Sequence, residues 1–81
     1  MKEIHYTSHL KYRMKVRNVP ENFPKEVYNG AKEKYYDRET LHYIAVKEAF
    51  YRGKTREVIV VYDERPKRIE IITIHPLVST Q

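Results

Sequence analysis

The chain has no cysteine and no tryptophan, only two glycines, and no long apolar run. Without cysteine there is no disulfide framework, no thiolate metal site and no cysteine nucleophile, and a cytoplasmic setting fits best. Gly30 and Gly53 alone cannot make a glycine-rich phosphate loop. The longest apolar stretch, Val58–Tyr62, is far too short to cross a membrane, so no membrane partner is expected. The opening Met1-Lys2-Glu3-Ile4-His5 lacks the apolar core of a secretory signal. No His-Glu-x-x-His run or other cluster of ligands at metal spacing occurs, so neither a metal nor a cofactor is expected.

What is present is charge and tyrosine. The 81 residues carry a net charge of +5, with 33% charged and 41% apolar residues, the balance of a folded chain. That length suits one domain over residues 1–81, with a modest core. A basic surface fits nucleic acid or an acidic protein as partner. Eight tyrosines offer packing surfaces with polar tips, or platforms for stacked bases.

Pattern along the chain predicts α+β structure in the order β-α-α-β-β-β. Ile4–Thr7 alternates as a short strand, and Ser8 is a candidate N-cap for a helix over residues 9–17. A second helix is expected from Pro24 to Tyr36, carrying Val27, Ala31 and Tyr35 at helical spacing. Asp37–Thr40 reads as a loop. Three antiparallel strands then follow at Leu41–Phe50, Thr55–Tyr62 and Ile69–His75, with turns at Arg52-Gly53 and at 64–67 and a short tail from Leu77.

A two-residue turn at Arg52-Gly53 sets Ala49 opposite Arg56, Lys47 opposite Val58 and Tyr43 opposite Tyr62. A four-residue turn at 64–67 sets Tyr62 opposite Ile69, Val58 opposite Thr73, and Arg56 opposite His75. Alternation then gives two faces. One carries Ile44, Val46, Phe50, Ile59, Val61, Ile72 and Ile74 with Glu48 and Glu57. Being richer in large aliphatics, it is expected to receive both helices. Glu48 and Glu57 oppose each other there and need a cation. Arg13 is the candidate, because it bisects an arc of Leu10, Met14, Tyr12 and Val16 on the first helix. The other face, with Lys47, Arg56, Thr73 and His75 at one end and Tyr43 and Tyr62 at the other, is expected to stay open. His9, Arg13 and Arg17 form a row on the helix, while His5 and His42 read as surface residues.

The element order, the basic charge and the length resemble the RelE/ParE-type toxin superfamily, and a group of short uncharacterised domains within it in particular. The resemblance rests on Tyr6-Thr-Ser-His9-Leu-Lys-Tyr-Arg13-Met-Lys-Val-Arg17, on Arg56 near a strand start, and on Ile72-Thr-Ile-His75-Pro76. It implies a RelE-like antiparallel sheet with two helices on one face. It also implies a toxin of a toxin–antitoxin pair, either binding RNA and cleaving mRNA without a cofactor, as the ribonuclease members do, or acting on DNA gyrase, as ParE-like members do. In the ribonuclease reading His75 is the acid or base, and Arg56 holds the phosphate. Lys47, Tyr43, Tyr62, Thr73, His9 and Arg17 bind substrate. RNA and a cognate antitoxin are the implied partners. The alternative is a non-catalytic module whose open face, centred on Val58, Val60, Ile69 and Ile71, binds an acidic protein or a second copy as a homodimer.

Overall fold

The computed structural model describes residues 2–77. Its elements are β1 (Glu3–Tyr6), α1 (Ser8–Arg17), α2 (Phe23–Asn29), β2 (Glu33–Asp37), β3 (His42–Tyr51), β4 (Lys54–Glu64) and β5 (Arg68–Pro76). The five strands form one mixed sheet in the order β1-β5-β4-β3-β2, with β1 parallel to β5 and the remaining pairs antiparallel. The α+β class and the meander of β3, β4 and β5 are as expected; the element order is not, because a strand, β2, lies between α2 and β3.

Thr7, not Ser8, caps α1. Its Oγ1 accepts the Leu10 N–H at 3.2 Å. Its own N–H donates to the Ile71 carbonyl at 3.1 Å, so the cap also ties the helix to β5. Asn18 ends α1 in the left-handed region at φ 58°, a conformation that asparagine tolerates. Tyr6 then holds the next loop: its hydroxyl donates to the Glu21 carbonyl and accepts the Lys25 N–H.

The second helix stops at Asn29, seven residues earlier than expected. Gly30 follows it, donating its N–H to the Glu26 carbonyl at 2.9 Å. A Cβ on Gly30 would lie 2.5 Å from Lys47 Cε, so the glycine admits the lysine side chain across the helix end. Residues 33–37 instead form an edge strand on β3, joined to it by a turn in which Asp37 accepts from the Glu39 N–H and the Thr40 hydroxyl. Two adjacent tyrosines suit a pleated edge better than a helix interior.

The β3–β4 register is as derived from the Arg52-Gly53 turn: Tyr43 faces Tyr62, Lys47 faces Val58 and Ala49 faces Arg56. Arg52 and Gly53 both have positive φ, as a two-residue hairpin turn of this kind requires. The β4–β5 register differs. Tyr62 pairs with Ile71 and Val58 with Pro76, and a bulge falls between Val61 and Tyr62. Beyond the bulge the offset from the expected pairing is odd, which moves side chains to the other face.

Both helices pack on the face that was expected to stay open. Leu10, Met14 and Val27 join Ala45, Tyr51, Val58, Val60, Tyr62, Ile69, Ile71 and Ile74 in the main core. The bulge brings Ile74 to this side, and the small Ala45 and Ala49 let the helices approach closely. Within α1, Leu10 and Met14 are buried, whereas Tyr12 and Val16 are 68% and 67% exposed. Ile44, Val46 and Ile59, with Val61 against them, form a second small cluster on the open face. No helix among the described residues is long and apolar enough to cross a membrane.

Candidate nucleic-acid interface

Strand alternation sorts charge as well as apolar bulk. Glu3, Glu33, Asp37, Glu48, Glu57, Asp63 and Glu70 stand on the open face, and Glu64 is the one strand carboxylate on the helix side among the described residues. Lys34, Lys47, Lys54 and Arg56 stand on the helix side, with Arg68 on the open face. The helix α1 adds Lys11, Arg13, Lys15 and Arg17 to the helix side and contains no acid. The net charge therefore conceals two faces of opposite sign.

The open-face carboxylates are mostly engaged. Lys32, not Arg13, is the cation that Glu57 requires, and this hydrogen-bonded pairing raises the lysine's pKa. His42 Nδ1 lies 2.7 Å from Asp63 Oδ1, and both side chains are partly buried. Arg65 bridges Asp63 and Glu70, and Arg68 meets Glu70 at 3.2 Å. His42 is thus a cross-strand partner and not a free surface residue; its place opposite Asp63 follows from the β3–β4 register.

On the helix side, arginines from three segments gather near Tyr51. Arg13 and Arg17 of α1 border a narrow gap with Tyr51, Thr73 and Ile74. The Arg52 guanidinium lies 5.6 Å from the Tyr51 ring centre. Arg56 donates from a terminal nitrogen to the Arg52 carbonyl at 3.2 Å, while its Nε is buried without a partner. The Phe23 ring stacks on Tyr51 with centres 5.3 Å apart. None of these four arginines has an ion-pair partner among the described residues. Arg52 was not singled out by sequence; its position in the hairpin turn beside Tyr51 was the available signal.

The expected catalytic pair is not assembled. His75 stands opposite Ile59 on the open face, and Arg56 stands opposite Ala49 on the helix side. The bulge-shifted register separates them. His75 Nδ1 lies 3.2 Å from the Pro76 carbonyl. Thr73 pairs with Val61 and is half-buried. Tyr62 is buried, with Tyr28 edge-on to it at 4.9 Å and Tyr43 stacked on it at 5.5 Å, so this pair is core and no open platform. Burial first, then neighbouring Tyr28, Glu64 and Tyr43, push the Tyr62 hydroxyl up to about 12. Lys47 folds over Gly30 at the end of α2. His9 is exposed one turn before Arg13, so it and Arg17 remain together on the cationic side. The alternative interface centre of Val58, Val60, Ile69 and Ile71 is fully buried beneath the helices. An acidic partner does not suit the carboxylate-rich face that is open.

No group of three or more potential metal ligands occurs among the described residues. Comparison with protein-family models, curated proteins and solved structures returned no match.

Proposed function

We propose that this chain is an RNA-binding domain of the toxin type, with its binding surface on the helix side around Tyr51. The observation that supports the reading is the cluster of Arg13, Arg17, Arg52 and Arg56, paired with no carboxylate among the described residues, with the Arg56 Nε buried and unsatisfied. Such a cluster costs self-repulsion and desolvation unless an anion completes it. Phosphate matches guanidinium in charge and geometry. Tyr12, exposed on the same helix, offers a ring for a stacked base. The resemblance to RelE/ParE-type toxins through Tyr6–Arg17 points to RNA as the polyanion. Cleavage is the more demanding form of the proposal. His9 is the histidine on the cationic side and takes the acid–base role in place of His75.

Fluorescence anisotropy of a labelled single-stranded oligoribonucleotide tests binding. Each phosphate contact contributes about 0.7 to the slope of log affinity against log salt. Arg17→Ala and Arg56→Ala should each flatten the slope by about that amount, and His75→Gln should leave it unchanged. A salt-independent affinity, or unchanged slopes in both arginine variants, contradicts the proposal. Electrophoresis of the same RNA after incubation tests cleavage. Cleavage that His9→Gln abolishes, with affinity retained, supports the catalytic form; intact RNA with wild-type protein restricts the proposal to binding.

A further inference from the structure

The open face and the outward ridge of α1 are complementary in charge and in apolar character. Tyr12 and Arg13 also belong to the proposed RNA surface, so RNA and a second copy would compete for this ridge. The open face has an apolar centre of Ile44, Val46, Ile59 and Val61, bordered by Tyr35 and Phe50, which are 50% and 70% exposed. Glu33 and Glu48 flank this centre with no cation within ion-pair distance among the described residues. Two open faces would set these carboxylates against one another, so a two-fold pairing of this surface is unfavourable. The outward side of α1 is the reverse: Tyr12 and Val16 form an exposed apolar ridge one turn long, with Lys15 and Arg13 on its flanks and no acid in the helix.

We propose that the open sheet face binds the α1 ridge of a second copy of this chain. Tyr12 and Val16 lie against the apolar centre, and Lys15 and Arg13 meet Glu33 and Glu48. The contact joins two different surfaces, so it propagates head to tail and ends in a ring or a short filament. The charge pairing makes it salt-sensitive.

Sedimentation equilibrium of the full chain in the absence of RNA tests the proposal. Mass should rise with protein concentration at about 50 mM salt and fall back at about 500 mM, with apparent affinity dropping about tenfold. Glu48→Lys removes the acceptor surface and Tyr12→Ser with Val16→Ser removes the apolar ridge without adding charge. Each variant should be monomeric alone. Mixed in equal amounts they should form a discrete one-to-one dimer, because each keeps the half that the other lacks. Melting curves confirm folding, and Glu48→Gln, without charge reversal, should weaken assembly without abolishing it. A wild-type chain that stays monomeric at both salts, self-association that persists in either variant alone, or a mixture that stays monomeric overturns the proposal. At protein concentrations where wild type is monomeric, RNA affinity of Glu48→Lys should match wild type, so loss of assembly and loss of RNA binding are separable.

Discussion

The two faces of the sheet are built from similar residues and have opposite roles. The helix side holds valines, isoleucines and tyrosines sealed under α1 and α2, with its unmatched arginines at one rim. The open side holds a smaller aliphatic cluster hemmed by carboxylates, most of them paired. The covered face is the richer in aliphatics once the bulge has carried Ile74 to it, so the expectation failed on register and not on aliphatic content. Close approach needs small residues, and Ala45 and Ala49 lie on the covered side. The glutamates lie on the other side, where water or a partner cation can reach them.

The largest expected difference between the faces is in stability. Ile71 is completely buried beneath the helices, and Ile59 lies in the open-face cluster at 8% exposure. Ile71→Ala should cost about 3–4 kcal/mol, and Ile59→Ala about half as much, by urea denaturation. Equal losses would mean that the open face is as deeply packed as the other.

The alkaline limb of stability sharpens the comparison. The Tyr62 hydroxyl, buried on the helix side, titrates near 12 in the fold, against an ordinary value of 10.0. The fold therefore favours its neutral form. That contribution is fully present below pH 10 and is lost as pH rises toward 12. Tyr62→Phe should leave stability at pH 7 nearly unchanged and reduce the loss between pH 10 and 12. An unchanged alkaline limb in the variant would assign that loss to other groups.

Arg13→Ala should have the smallest effect on stability, within about 1 kcal/mol, because Arg13 makes no ion pair among the described residues. A loss of 3 kcal/mol or more, of the order of a broken buried charge pair, would return Arg13 to a structural role.

Local chemistry made part of this legible in sequence. The Arg52-Gly53 turn specifies the β3–β4 register, and strand period carries that register to Tyr43 and Tyr62. Val27, Ala31 and Tyr35 fit helical spacing, yet Gly30 and the Tyr35-Tyr36 pair favour a break followed by a strand. The bulge at Val61/Tyr62 has no turn residue to announce it, and its odd offset carries His75 away from Arg56. The arginine cluster was only half visible, because Arg13 and Arg17 reach Tyr51 through tertiary packing that no spacing encodes.

The most direct test of the proposed RNA surface is an amide chemical-shift titration of isotopically labelled protein with single-stranded RNA, at fixed salt and at a concentration where the chain is monomeric. The largest shifts should fall on α1 and on residues 51–56, while Ile44, Ile59 and His75 on the open face stay nearly still. Shifts centred on Ile59 and His75, with α1 unmoved, would contradict it.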